Sequence, residues 1–304
     1  MSKLFTMKNK NKLLDCPINV LSLFDGIGCG HVALDRAGIQ IKNYYASEIN
    51  PDSIKVANYN FPRTIQLGDI TKIDFSKLQD IDLLIGGSPC QDISNLNNKQ
   101  LGLQGDKSTL FYKFVEALMI CKPRYFLLEN VCGKKESVDT ISHILSVPPI
   151  KINSNLVSAQ NRNRLYWTNI TGVSQPKDCN IALKDILQPD DETFSYILKD
   201  GRLKWLKSKS GINCISSRYA SLDATKANCL TARGEKSWNS NYVTRKDGKI
   251  RTLTPIEYER LQTLPDNYTS IISDSSRYEA LGNGWTVDVI AHILSYVSQE
   301  GIYL

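Results

Sequence analysis

Histidine is scarce in this 304-residue chain, at three residues, and methionine is equally rare. The eight cysteines are scattered and no two form a C-x-x-C pair, so neither a zinc site nor a disulfide framework is suggested. Any cysteine chemistry would therefore use a free thiol. No run approaches the roughly eighteen uninterrupted apolar residues of a spanning helix. The start of the chain, where Lys3, Lys8, Lys10 and Lys12 are broken by polar residues, lacks the apolar centre of a signal peptide. A cytoplasmic location without membrane association is the expectation. Internal repeats and low-complexity stretches are also missing.

What is present is a large apolar fraction, 41%, enough to bury a substantial core in one large domain or two smaller ones. The formal charge of +6 is unevenly spread. Between Lys199 and Arg251 there are thirteen Lys or Arg against four acids, Asp200, Asp223, Glu235 and Asp247, while the remainder holds 24 basic and 27 acidic residues. Charge runs are usually solvated faces, but one basic segment beside an acidic remainder is the footprint expected for a phosphate backbone.

Along the chain, short apolar runs alternate with helical patterns. Ile18–Phe24 reads as a buried strand, and Asp25-Gly26-Ile27-Gly28-Cys29-Gly30 turns into a helix over 31–37. The G-x-G-x-G spacing differs from the G-x-G-x-x-G of dinucleotide enzymes. A second strand, 43–47, ends in Glu48, about twenty residues past the loop, where an acid can accept ribose hydroxyls. A third, 64–67, ends in Gly68-Asp69, an acid able to accept from an adenine amino group. The run Ile81–Ile85 ends in Gly86-Gly87-Ser88-Pro89-Cys90-Gln91, which would hold one thiol stiffly on a loop. A long polar loop, 92–106, follows, then a helix over 108–119 and a strand, 125–128, capped by Glu129-Asn130-Val131. Gln160-Asn161-Arg162-Asn163-Arg164 places two arginines at alternate positions entering a strand, suited to gripping a polar ligand or a carboxylate. Thr254-Pro255-Ile256-Glu257 is a capping box with proline at the first helical position. Gly282-Asn283-Gly284-Trp285 precedes a closing helix over 286–297. The alternation predicts an α/β fold, a doubly wound, mostly parallel sheet whose ligands sit beyond the carboxyl ends of its strands. From about 168 to 249 the periodicity fades, and a smaller, irregular, substrate-contacting region is expected there.

Taken in order, Phe24-x-Gly26-x-Gly28-x-Gly30, Glu48, Gly68-Asp69, Pro89-Cys90-Gln91, Glu129-Asn130-Val131, Gln160-x-Arg162-x-Arg164 and Gly282-Asn283-Gly284 resemble the DNA (cytosine-5)-methyltransferases across essentially the whole chain. Gly87-Ser88-Pro89-Cys90, the Leu110-Phe111 helix and Trp285 look closer to the animal de novo methyltransferases and their phage or bacterial relatives than to typical restriction-modification enzymes. The missing chromatin-reading or zinc-binding module argues for a stand-alone prokaryotic or viral enzyme, in a nucleoid or a phage host's cytoplasm.

The resemblance implies a Rossmann-like, class I S-adenosylmethionine-dependent fold, with residues 1–168 and 252–304 catalytic and 169–251 recognising the target in double-stranded DNA. It implies that the Cys90 thiolate adds to cytosine carbon 6, which activates carbon 5 for methylation. Glu129 would protonate or hold the ring at N3, Arg164 would bind O2, and Arg162 would help hold the carboxylate. For the cofactor it implies stacking by Phe24, ribose binding by Glu48 and adenine binding by Asp69. Asp25, Gly26, Gly28, Gly30, Ile49, Ile70, Pro89, Leu110, Asn283 and Trp285 would complete that site. Ser88, Gln91, Asn130, Arg233 and Arg245 would contact the DNA substrate. The target base must leave the duplex stack, and the loop after Cys90 is the expected lid. No metal is implied, and oligomeric state is open. A transfer-RNA cytosine methyltransferase would typically carry a Cys-Phe-Thr signature, which is missing here. A catalytically silent DNA-binding homologue would have lost the thiol or the cofactor acids, which are present.

Overall fold

The computed structural model describes residues 17–88, 109–234, 236–238 and 240–297. Pro89, Cys90, Gln91 and the polar loop after them lie outside the described residues. The described chain forms two compact units, one drawn from Met1–Ile152, Asn163–Gln175 and Asp288–Leu304, the other from Asn153–Arg162 and Pro176–Val287. The division by packing differs from the expected one, in which 169–251 stands apart: residues 153–162 and 252–287 pack with the second unit.

In the first unit, strand β1 (Ile18–Leu23) is followed by α1 (Cys29–Arg36), β2 (Ile41–Ser47), α2 (Pro51–Asn60), β3 (Ile65–Gln66) and β4 (Leu83–Gly87). Then come α3 (Thr109–Cys121), β5 (Tyr125–Val131), α4 (Lys135–Leu145), β6 (Ile150–Asn153) and β7 (Asn163–Thr168). The strands order as β3-β2-β1-β4-β5-β7-β6. The pairs of β1 with β2 and β4, β2 with β3, and β4 with β5 are parallel, and β7 runs antiparallel to β5. All six residues of β1 are buried, which is why this segment reads as a nearly continuous apolar run. Leu21, Leu23, Leu84, Phe114, Phe126, Leu128 and Trp167 share one core. Each such large side chain, fully buried, contributes on the order of 1.5–3 kcal/mol.

Two strands extend beyond their expected ends. Gly86 and Gly87 are the last residues of β4 and do not follow it, and β5 continues through Glu129 and Asn130 to Val131. Gly86 packs so closely that an added Cβ would lie 3.0 Å from the Leu23 carbonyl oxygen and 3.2 Å from Phe114.

The second unit contains α5 (Asp200–Leu206), α6 (Lys209–Ser216), β8 (Ser221–Leu222), β9 (Asn241–Thr244) and β10 (Ile250–Thr252). The helices α7 (Pro255–Leu261) and α8 (Asp274–Asn283) follow. The three strands form a small sheet, order β10-β9-β8, over Leu206, Ala220 and Tyr242. The region expected to be irregular therefore holds two helices and a sheet, whose strands are too short to show a period. The capping box forms as expected: Thr254 Oγ1 accepts from Glu257 N at 3.1 Å and Glu257 Oε2 from Thr254 N at 2.8 Å. Both oxygens of the buried Glu257 also take the guanidinium of the buried Arg251, at 2.7 and 2.8 Å. Helix α9 (Val287–Leu294) returns the chain to the first unit, where Asp288 meets Arg36 at 2.6 Å. Among the described residues no helix is long and apolar enough to cross a membrane.

Candidate active site

The strand order reverses between β1 and β4, since β1 pairs with β2 on one side and β4 on the other. In an open α/β sheet that switch point opens a crevice at the carboxyl ends of the strands. The register lines those ends up. Leu23 pairs with Ser47 and with Gly86, Gly86 with Leu128, and Gly87 with Glu129. Phe24, Glu48, Gly87 and Glu129 consequently stand in one row along this edge. Because β7 is antiparallel, its beginning reaches the same edge, with Arg164 opposite Val131.

Glu129 and Arg164 meet there, Nε to Oε1 at 2.9 Å, with side chains only 11% and 15% exposed. Next to them, buried Asn130 donates through Nδ2 to Ser88 Oγ at 2.9 Å and to the Ser88 carbonyl at 3.2 Å. That contact ties the end of β5 to the last described residue before Pro89-Cys90.

At the end of β1 the backbone turns sharply. Phe24 has φ +60°, a left-handed conformation that is an outlier for a bulky residue and marks strain at a turn. Gly28, φ +79°, is the N-cap of α1. Gly30 is required for space, because a Cβ there would lie 2.3 Å from the Tyr44 hydroxyl. Glu48 braces the loop: Oε2 accepts from Gly26 N at 2.8 Å, and Oε1 from Ile49 N and Asn50 N at 2.7 and 2.9 Å. Ile49 beside it is 72% exposed. Asp69 caps a short 3-10 turn, accepting from Thr71 N at 2.9 Å and Thr71 Oγ1 at 2.8 Å; those two hydrogen bonds hold its carboxyl below the ordinary value. Asp25 is buried and accepts from Ser22 Oγ at 2.6 Å and Tyr44 OH at 2.7 Å, both on Oδ1. Ser22 and Tyr44 carry no motif, and only the pairing of β1 with β2 brings them together.

This chain matches the family model for C-5 cytosine-specific DNA methylase over residues 18–147 and 152–299. The chain belongs to that family. It is 30% identical over 297 residues to the type II methyltransferase M1.ScrFI of Lactococcus lactis subsp. cremoris, covering 89% of this chain and 75% of that relative. Identity to the type II methyltransferase M.NlaX of Neisseria lactamica is 28%, covering 90% and 94% of the two chains. The Entamoeba histolytica methyltransferase EhMeth shares the fold, with a TM-score of 0.75 at 20% identity over 92% of this chain and 98% of that one.

A cytosine-5 DNA methyltransferase takes its methyl group from S-adenosyl-L-methionine, and the residues at the switch point suit such a cofactor. Glu48 and Asp69 are acceptors held at adjacent strand ends, and Asp25 keeps Oδ2 buried with no hydrogen-bond partner. Other expected site residues of this methyltransferase are placed differently. Arg162, expected to help hold the carboxylate, is buried in the second unit and donates to backbone carbonyls of Leu230 at 2.9 Å and Gly284 at 2.8 Å. Its partner in the motif, Gln160, likewise donates to the Leu261 carbonyl at 2.7 Å. Arg245, expected on DNA, is buried against the Asp190 carbonyl at 2.5 Å, Thr193 Oγ1 at 2.7 Å and the Phe194 ring. The physical reason is shared: an interior arginine needs fixed acceptors, and loop carbonyls supply them. The Ile70 side chain is buried in the core, and Leu110 packs against it. Arg233 and Asn283 are exposed, and Trp285 is partly buried in the second unit.

Proposed function

We propose that the enzyme methylates carbon 5 of a cytosine flipped out of double-stranded DNA, through a covalent adduct between Cys90 Sγ and carbon 6. The observation that carries this is the single sheet edge on which Phe24, Glu48, Gly87 and Glu129 stand in register, with Arg164 brought to Glu129 by the antiparallel β7. The cofactor supplies an electrophilic methyl group. Glu48 holds the ribose hydroxyls, Asp69 the adenine amino group, and Phe24 and Ile49 cover the adenine faces. Glu129 accepts from the cytosine amino group and delivers a proton to N3, while Arg164 donates to O2, so the ring accepts the thiolate's electron pair. Once carbon 5 has taken the methyl group and S-adenosylhomocysteine is left behind, the carbon 5 proton passes to water, N3 returns its proton to Glu129, and elimination of the Cys90 thiolate releases the product. Arg162 acts as a positioning residue, holding the backbone of Leu230 and of Gly282–Gly284.

The basic second unit grips the duplex. Of its cations, Lys199, Lys204, Lys207, Lys209, Arg218, Arg233, Lys236, Lys246 and Lys249 are exposed and suited to phosphates. A closer likeness to the animal de novo enzymes than to typical restriction-modification enzymes would rest on Gly87-Ser88-Pro89-Cys90, the Leu110-Phe111 helix and Trp285; the two sequence relatives above are bacterial type II methyltransferases, and the orphan methyltransferase M.Rho11sI of Bacillus phage rho11s also matches.

Incubation with methyl-tritiated S-adenosylmethionine and mixed-sequence duplex DNA is expected to place label on cytosine carbon 5. Cys90→Ser should lower the rate by at least about a thousandfold while leaving cofactor affinity unchanged. Residual activity within tenfold of wild type would remove Cys90 from the mechanism.

A further inference from the structure

The chain has four tryptophans, and the fold uses them differently. Trp167 is fully buried in the core of the first unit, Trp285 is partly buried, and Trp205 of α5 packs partly buried against Leu206, Ala220 and Tyr242. Trp238, which precedes β9 in the second unit, is 44% exposed. A single exposed aromatic is ordinary on a protein surface. Trp238 differs in being held in place. Its ring stands edge-on to Trp205, with centroids 5.4 Å apart and planes at 86°, and its carbonyl accepts from the hydroxyl of the buried Tyr242 at 2.5 Å. The backbone leading to it is fixed as well. Arg162 donates to the Leu230 carbonyl at 2.9 Å, Gly282 packs against Thr231 and Ala232 with no room for a Cβ, and Gly234 N donates to Thr231 O at 3.0 Å and Ser237 N to Arg233 O at 2.8 Å.

The surroundings of this indole are basic. Arg233 and Lys236 are exposed in the same segment, and Lys204 and Lys207 are exposed on either side of Trp205. Arg202 of α5 lies close enough for its charge to act on the Tyr242 hydroxyl that holds Trp238. Such a surface suits a partner that is anionic along its length and apolar at defined points. On the reading of the second unit as the grip on duplex DNA, the cations take the phosphates and the indole needs an apolar group. Insertion between base pairs calls for a side chain that projects freely, whereas more than half of Trp238 is covered. At the groove edges the base pairs display one apolar group, the C5-methyl of thymine in the major groove. We propose that Trp238, braced by Trp205, contacts a thymine methyl group in the major groove of the recognition site and so contributes to the choice of target sequence.

A cycle between protein and DNA tests this. Two duplexes of one mixed sequence are prepared, one with thymine and one with uracil at every thymine position, which removes the methyl group and keeps the base pairing. Methyl transfer from S-adenosylmethionine is measured on both. Wild type should prefer the thymine duplex about fourfold in kcat/KM, the worth of one buried methyl group, with the difference in KM. Trp238→Ala should lose the preference, and Trp205→Ala, which removes the brace, should narrow it. Each protein is compared with itself on two DNAs, so any misfolded fraction cancels from the ratio. The slope of log affinity against log salt should be the same for Trp238→Ala as for wild type, because no charged contact is lost. A wild-type ratio of one, or a fourfold ratio that survives in Trp238→Ala, would overturn the proposal and leave the methyltransferase reading standing. A salt slope lower by about 1 in Trp238→Ala would also overturn it, by marking a phosphate contact. Wild type that methylates neither duplex would instead overturn the reading of the enzyme as acting on double-stranded DNA.

Discussion

At the scale of single residues, the first unit carries two buried titratable groups with opposed consequences. Burial raises the Asp25 carboxyl to about 6 and lowers the His31 imidazole to about 4. Asp25 binds its proton more tightly in the folded state, so its contribution is fully present below about pH 4 and is lost as pH rises through about 6. His31 binds its proton less tightly when folded, so its contribution is present above about pH 6.5 and is lost as pH falls toward 4. Each is worth on the order of 3 kcal/mol, and in the window from pH 4 to 6 they largely cancel. Relative to wild type without cofactor, Asp25→Asn should gain stability as pH rises from 4 to 6. His31→Phe, which keeps the stack between Tyr44 and Phe61, should lose stability over the same range. Denaturant melts at pH 4, 5 and 6 would show slopes of opposite sign; parallel curves would refute the cancellation.

At the scale of elements, two helices, α1 and α8, each depend on a glycine at a close approach, and the start of α7 depends on a buried ion pair. Gly30→Ala would drive a methyl group against the Tyr44 hydroxyl and Ile85, costing about 1–3 kcal/mol. Gly282→Ala should cost more, because the added Cβ meets the Thr231–Ala232 backbone at 2.2–2.4 Å, which cannot rotate away as a side chain can. Glu257→Gln leaves the Arg251 guanidinium buried without its counter-charge, at a cost of about 3–5 kcal/mol. Thermal melts of these variants should rank in that sense, and a neutral Glu257→Gln would show the pair to be dispensable. Elements with a local signature were legible in the sequence: the capping box of α7, the buried run of β1 and the glycine loop. The strands of the second unit were not, since two to four residues hold too few alternations to stand out from a coil.

At the scale of the whole molecule, the basic segment divides by burial into residues that hold the second unit together and residues free to meet DNA. Arg233 is exposed, whereas Arg245 and Arg251 are buried. Arg233→Ala should therefore weaken DNA binding and lower the slope of log affinity against log salt by about 1, with no change in melting temperature. Arg245→Ala should lower the melting temperature and leave the salt slope unchanged. Filter binding across a salt series, paired with thermal melts, separates the two, and identical behaviour would refute the division.

The order of the motifs in the chain determined the family, the cofactor and the alternation of strand and helix, because glycine turns, strand-end acids and apolar runs are local features. Only the tertiary structure decided which arginine of Gln160-x-Arg162-x-Arg164 meets Glu129. Two residues apart in sequence, Arg164 enters β7 beside β5 while Arg162 turns into the interior of the second unit. It likewise decided that Asp25 lies under Ser22 and Tyr44 with one oxygen unpaired. Burial and partnership depend on which strands become neighbours, and the strand order β2-β1-β4, a long-range property of the chain, is written in no single segment of it.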